Sequence, residues 1–192
     1  MISHRERLEG VNDDLCRVVH YAAQMLEEDA ALQVRVQEGC RTRDRQRQLV
    51  KVGASMTMDS RHLTGHAIDL LPEADLDHDG VIELTELYDW PSIYRVADAM
   101  ARAARALQIP IIWGGCWDRQ LNALYDAEEE HAAYVLRRKA AGKRAFSDGP
   151  HYELDRGLSA HPCVWCIPRA ETTSRRRSSS PIVFVWRSPT RI

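Results

Sequence analysis

The chain has no apolar run near the roughly 18 residues of a membrane span, and Met1 to Glu9 are too polar and charged to hold the apolar segment of an export signal. The first lack argues against a transmembrane segment. The second predicts synthesis in a cytoplasm, so a target outside it would need release by another agent. Cysteine is scarce and odd in number: Cys16, Cys40, Cys116, Cys163 and Cys166 show no regular framework, which argues against a disulfide-stapled secreted scaffold. The compositional bias of disordered or collagen-like chains is also missing. With 44% apolar and 28% charged residues over 192 positions, the chain suits one globular domain with a real core.

The net charge of −2 conceals an asymmetry. From Gly157 onward six arginines face only Glu171, a net of +5 that leaves −7 on residues 1–156. Residues 157–192 are rich in Ser, Arg and Pro and, except at Ile182 to Trp186, lack helical or strand period. They read as a basic, disordered or weakly ordered tail, with the domain boundary near residue 157.

Within the body, Ser3 and Glu6 have capping-box spacing, and Leu8, Val11, Leu15, Val18, Ala22 and Leu26 follow at helical intervals. One amphipathic helix is predicted there. Leu32, Val34 and Val36 alternate up to Gly39 as a half-buried strand, and 43–52 suits a short helix. Residues 67–71 form an apolar run carrying Asp69 and closed by Pro72, so a strand with one carboxylate is expected; if buried, that carboxylate needs a partner. A helix starting at Asp89 and Pro91, a strand over 109–113 ended by Gly114 and Gly115, a charged helix over 127–144 and a short strand over 151–154 complete the reading. The predicted class is α+β: a small antiparallel sheet flanked by helices in a single domain.

The most informative stretch is Ser60-Arg-His62-Leu-Thr-Gly65-His66-Ala67-Ile-Asp69. Gly65 permits a sharp turn, so a loop imidazole and a strand carboxylate can converge, and both are ligand types that zinc accepts. Downstream, Asp148-Gly-Pro-His151 adds an imidazole and an acid. A catalytic zinc needs three protein ligands, an open position for water and a carboxylate to take the proton. His62, Asp69, His151 and Asp148 would fill these roles.

These motifs resemble the zinc D-Ala-D-Ala carboxypeptidase and L-alanyl-D-glutamate endopeptidase family, whose pattern SxHxxGxAxD followed by acid-x-x-His is matched by Ser60, His62, Gly65, Ala67, Asp69, Asp148 and His151. The likeness spans about residues 30–155 and includes Gly39-x-Arg41-Thr42-x-x-x-Gln46 and Trp113-Gly-Gly-Cys-Trp117. It implies a Hedgehog/DD-peptidase-like fold, zinc on His62, Asp69 and His151, and Asp148 as general base. It further implies that Arg41 stabilises an oxyanion or anchors a substrate carboxylate, that Gln46 orients the peptide, and that Ser60 and Trp117 help to bind substrate. Asp rather than Glu at position 148 leans toward the phage endopeptidase branch. Thr42, Cys40 and Cys116 depart from the usual Ser, aromatic and Asp. A thiol at 116 could compete for the metal or simply fill space, as buried free cysteines do.

A second metal is suggested by Asp75-x-Asp77-x-Asp79-Gly80-x-Ile82-Glu83-x-x-Glu86, which has the spacing of a twelve-residue EF-type calcium loop. Its ligands would be Asp75, Asp77, Asp79, the Val81 carbonyl, Glu83 and Glu86. No helix is expected before it, so a paired calmodulin-like domain is not. The loop begins six residues after a predicted zinc ligand, and calcium would order this 75–86 insertion and shape the site's rim.

Some residues admit plainer readings. His62 and His66 have the spacing of a helical zinc pair, but Gly65 and the lack of HExxH argue against it. Arg43, Arg45 and Arg47 read as solvated charges. Cys163-Val-Trp-Cys166 lacks the other half of a zinc knuckle and reads as structural noise. The Arg175 to Arg177 cluster would attract polyanions such as an outer-membrane surface, or would do nothing; no specific nucleic acid is expected.

The resulting expectation is a monomeric phage-type endolysin that cuts the L-Ala to D-Glu bond of peptidoglycan stems, with zinc as catalytic and calcium as regulatory or structural ion. It would be made in the host cytoplasm and act on the wall after holin-type release. The alternatives are a D-Ala-D-Ala carboxypeptidase and, from another class, a catalytically inactive calcium-dependent wall-binding module.

Overall fold

Val34 and Val36 face inward and their polar neighbours outward, and the same alternation recurs over His151–Leu154, whereas Ala67–Glu73 is buried on both faces except at Asp69 and Glu73. The computed structural model of the protein describes residues 1–29 and 32–157. The expected basic tail, Ile182 to Trp186, the Cys163 and Cys166 pair and the Arg175 to Arg177 cluster lie outside the described residues. Among the described residues the strands are β1 (Ile2–Ser3), β2 (Gln33–Glu38), β3 (Ala67–Glu73), β4 (Ile111–Trp113), β5 (Cys116–Gln120) and β6 (His151–Leu154). They form one sheet in the order β1-β2-β3-β6-β4-β5, with only β1 and β2 parallel. The helices are α1 (Asp13–Asp29), α2 (Arg43–Lys51), α3 (Leu84–Leu87), α4 (Trp90–Leu107) and α5 (Ala127–Ala140). The α+β class, with a small and mostly antiparallel sheet flanked by helices, is as the sequence predicts.

Leu15, Val18 and Ala22 of α1, Val96, Ala97 and Met100 of α4, and Ile68, Leu70, Tyr152 and Leu154 of the sheet close into one core. Each of the Leu, Val, Ile and Met side chains among them contributes about 1.5–3 kcal/mol by leaving water. Strand alternation then sends Asp69, His151 and Glu153 to the opposite face, which is where the site forms. Among the described residues no helix is long and apolar enough to cross a membrane.

The strand expected over 109–113 begins at Ile111, and three further boundaries differ from expectation. The Ser3 and Glu6 capping box does not form: Ser3 belongs to β1, residues Arg5–Leu8 make a short 3-10 turn, and Gly10 adopts a left-handed φ of 76°. A Cβ at Gly10 would lie only 3.1 Å from Cys40, so the chain turns where little else fits. The helix restarts at Asp13, with Asn12 accepting from the Asp14 N–H at 2.9 Å. Pro72 does not close β3 but sits within it, opposite Val34. By the two-residue repeat its missing N–H would face the side of Leu70 N, beyond the paired part of β6, so no sheet bond is lost. The last helix stops at Ala140, four residues short of Arg144, before Gly142 with φ 65°. Strand β5 is new; Gly114 and Gly115 turn β4 directly into it as a hairpin.

Candidate active site

Antiparallel pairing of β3 with β6 sets Asp69 directly opposite His151, and a register shift in β2 brings Glu38 opposite Asp69 on the other side. His62 arrives from the 3-10 turn Arg61–Thr64, which Gly65 ends in the left-handed region at φ 69°. Any Cβ at Gly65 would fall 2.0 Å from the Gly10 carbonyl, so the turn that delivers His62 packs on the N-terminal segment at a point only glycine allows.

The three side chains meet. His62 Nε2 lies 3.3 Å from Asp69 Oδ1 and 3.4 Å from His151 Nδ1, and His151 Nδ1 lies 3.1 Å from Asp69 Oδ1. Each presents one atom inward because its other polar atom is held elsewhere. His62 Nδ1 is 2.8 Å from the Gly39 carbonyl, which can only accept, so Nδ1 carries the proton and Nε2 the lone pair. His151 Nε2 is 3.2 Å from Glu153 Oε2, leaving Nδ1 free to ligate. Asp69 Oδ2 accepts from Arg41 at 3.5 Å, leaving Oδ1.

These atoms form a group able to hold a metal ion. Zinc bonds of about 2.0–2.1 Å in a tetrahedron put ligand atoms about 3.3–3.4 Å apart, close to the separations seen, and the two-nitrogen, one-oxygen set suits zinc. The residues present therefore fit that ion. Electrostatics agree. Burial opposes charge on Asp69, yet the His151 and His62 rings beside it hold its carboxyl far below the usual range. Burial also opposes charge on His151, but Asp69 and Glu153 raise its pKa to about 9 in the metal-free centre.

Asp148 stands three residues before His151. Burial first, then the charge of Asp69, pushes its carboxyl above the ordinary value, while His151, His62 and Arg41 pull it back. Its backbone is pinned: Asp148 N donates to the Gly114 carbonyl at 2.9 Å, and its own carbonyl accepts from His151 N at 3.1 Å. A Cβ on Gly114 would lie 2.1 Å from the Asp148 oxygen, so the approach requires glycine.

Arg41 is only 8% exposed and its terminal nitrogens bond Gln46 Oε1 at 2.7 Å and Glu38 Oε2 at 2.9 Å as well as Asp69. Gln46 is fully buried and spends its amide nitrogen on Ser55 Oγ and the Thr57 carbonyl. Both polar atoms of the Gln46 side chain are thus engaged within the protein, the oxygen holding Arg41, which is the residue expected to meet substrate beside it. Trp117 packs against His151 with ring centroids 5.2 Å apart and walls the site. Ser60 precedes the His62 turn, with its carbonyl accepting from Leu63 N at 3.0 Å. His66 turns to Thr64 Oγ1 at 2.9 Å and is not in the ligand group. Buried Cys116 faces Asp118 and Arg137 rather than the three ligands, and burial and Asp118 push its thiol up to about 12.

Sequence reading passed over Glu38, Glu153 and Tyr88. Glu153 has no signal beyond lying two residues after His151, and Glu38 meets Asp69 only through the pairing of β2 with β3. The Tyr88 phenol, raised by burial and by the charges of Asp69 and Asp148, stands at the rim where the acidic loop returns.

That loop leaves β3 without a preceding helix. His78 and Gly80 take left-handed φ values of 63° and 89°, and Asp75, Asp77 and Asp79 accept loop N–H groups. The carboxylates gather as two overlapping trios, Asp75 with Asp77 and Glu86, and Asp77 with Asp79 and Glu83, rather than around one point. Glu86 is buried and accepts from Leu76 N and Glu83 N, and Val81 is 57% exposed. The donors are all oxygen, as calcium prefers.

The sequence model of the family described as phage L-alanyl-D-glutamate peptidase matches residues 2–154. No curated protein sequence matches the chain. Among solved structures, the Serratia marcescens L-Ala D-Glu endopeptidase ChiX is similar at 31% identity, over 81% of this chain and 90% of that one, with a TM-score of 0.53.

Proposed function

Because this chain belongs to the phage L-alanyl-D-glutamate peptidase family, we propose that it is a zinc-dependent endolysin that hydrolyses the L-Ala to D-Glu bond of peptidoglycan stem peptides. The observation that carries zinc is the triangle of His62 Nε2, Asp69 Oδ1 and His151 Nδ1, with sides of 3.1–3.4 Å and each ligand held from behind. Zinc held there supplies a Lewis acid that brings the pKa of water toward about 7 and polarises a carbonyl.

The chain's own residues supply the rest. Asp148 takes the proton of the attacking water and passes it to the leaving amine, a role suited to a carboxyl whose pKa lies above the ordinary value. Arg41 fixes Asp69 and contributes positive charge near the oxygen that becomes negative, and Gln46 and Glu38 hold it there. Trp117 and Ser60 bound the substrate cleft. Calcium on the 75–86 loop orders the rim next to Tyr88, as the all-oxygen carboxylate trios suggest. The enzyme reaches the wall after holin-type release.

The test uses full-length, zinc-loaded protein on purified peptidoglycan, with mass spectrometry of the fragments. Endopeptidase action exposes new N-terminal D-Glu and free L-Ala ends. Release of terminal D-Ala alone would make it a carboxypeptidase. Asp148→Asn should bind zinc one to one and lose hydrolysis; full hydrolysis by that variant would remove Asp148 from the mechanism. Calcium chelation with zinc retained should lower turnover, and an unchanged rate would leave the loop without a regulatory role.

A further inference from the structure

The loop that carries Asp148 is held at four successive residues. Tyr134 Oη donates to the Phe146 carbonyl at 3.2 Å, His131 Nε2 meets Ser147 Oγ at 2.8 Å, Asp148 N donates to Gly114, and Trp113 Nε1 donates to the Gly149 carbonyl at 2.7 Å. Three of these are backbone tethers at the carbonyl or N–H. The Ser147 bond is a side-chain pair and comes from an imidazole that is itself held in place. The His131 ring stacks on Trp90 at 4.5 Å between centroids and 10° between planes, and its Nδ1 lies 2.9 Å from Tyr94 Oη. Burial lowers the pKa of His131, so the ring is neutral at working pH and has one N–H and one lone pair. A phenol donating to Nδ1 leaves Nε2–H to donate to Ser147, so both nitrogens are satisfied in one tautomer. Trp90, beneath that ring, also abuts Gly149: a Cβ added there would lie 3.1 Å from it. The arrangement ties α4, α5 and the loop together next to the acid.

We infer that His131 is a positioning residue for the reaction: through Ser147 it sets the loop that aims the Asp148 carboxylate. It touches neither the metal ligands nor the cleft, and nothing in the motifs of the family resemblance includes it. Proton transfer is sensitive to placement, since a displacement of about 1 Å in a reacting group costs on the order of a hundredfold in rate. Loss of one hydrogen bond of the clamp, with the others intact, costs less than that.

This inference rests on Asp148 being the general base, and the experiment separates the two. Full-length zinc-loaded His131→Phe, Ser147→Ala, the double variant and His131→Gln are assayed on a soluble stem peptide containing the L-Ala to D-Glu bond, beside Asp148→Asn. His131→Phe keeps an aromatic ring for the Trp90 stack and removes both polar contacts; His131→Gln retains a donor near the Nε2 position. The expected result is a kcat about tenfold lower in each of the first two variants, KM within twofold of wild type and one zinc per chain. The double variant should be no slower than the worse single one, because both remove the same bond, and His131→Gln should recover most of the rate. Ser147 is exposed, so its variant tests the idea even where a change at His131 disturbs folding. Wild-type kcat in Ser147→Ala, or losses that multiply in the double variant, would overturn the inference while an inactive Asp148→Asn leaves the base assignment standing. Full turnover by Asp148→Asn would overturn both.

Discussion

Glu153 offers the sharpest quantitative test of the centre. Its carboxylate is 14% exposed and lies 3.2 Å from His151 Nε2, on the far side of the ring from Asp69. In Glu153→Gln an amide oxygen can still accept from Nε2–H, but the charge is gone. A hydrogen bond to a charged group contributes about 1.5–3 kcal/mol and a neutral one about 0.5–1.5, so the exchange costs about 1–1.5 kcal/mol. That is roughly a tenfold weaker zinc Kd. Glu153→Ala removes the acceptor and leaves a ligating imidazole with an unsatisfied N–H, which should extend the loss toward about 100-fold. Competition against a chromophoric chelator measures both. A second readout follows from linkage: with saturating zinc the metal-induced gain in Tm should shrink by roughly 3–6 °C in Glu153→Gln, at about 2–4 °C per kcal/mol for a domain of this size. Zinc affinities within twofold of each other in all three proteins would refute the claim that Glu153 holds His151 for the metal.

Stability of the zinc-free protein should depend on pH through the same ring. The His151 pKa is raised from 6.5 to about 9 on folding, so its contribution is present below about 6.5 and fades as pH climbs through about 9. Urea titrations of chelator-treated protein across that interval should show a falling midpoint, and His151→Ala should flatten the fall; a slope kept by that variant would assign it to another group. Cys116, with its thiol pushed up to about 12 by burial and Asp118, should resist iodoacetamide at pH 8 while exposed Cys40 reacts, as peptide mapping of the native protein can show. Equal labelling of the two would mean that Cys116 is open to solvent. Gly114→Ala forces a Cβ to within 2.1 Å of the Asp148 carbonyl, and a turnover loss of about 100-fold with zinc still bound is expected. Activity within twofold of wild type would show that the loop can yield without moving the acid.

Much of this molecule is legible in the chain because the deciding patterns are local. The stripe of Leu15, Val18, Ala22 and Leu26, the alternation of Val34 and Val36, and the Asp89 cap with Pro91 each specify an element within one or two turns. Misreadings fall where a distant contact decides. The Ser3 to Glu6 spacing satisfies the helix-start pattern, but Ile2 and Ser3 pair with Val34 and Arg35 instead. Strand β5 has one fully buried residue, Cys116, and otherwise reads as a polar loop. Gln46 is legible by its motif position, while the partners of its buried amide, Ser55, Thr57 and Arg41, appear only in the fold.

His62, Asp69 and His151, which the structure brings together, leave a mark in linear order as a turn glycine, a strand carboxylate and a downstream imidazole, and Asp148 is marked by the motif of the family resemblance. Their partners leave none. Glu153 supports His151 within one strand, but its purpose appears only once β6 lies against β3, and His131 meets Ser147 from a helix whose placement depends on packing against α4 and β5. Ligand identity is a matter of chemical type, which the chain spells out. Ligand aim depends on hydrogen bonds between segments far apart in order, and those exist only after the core has closed.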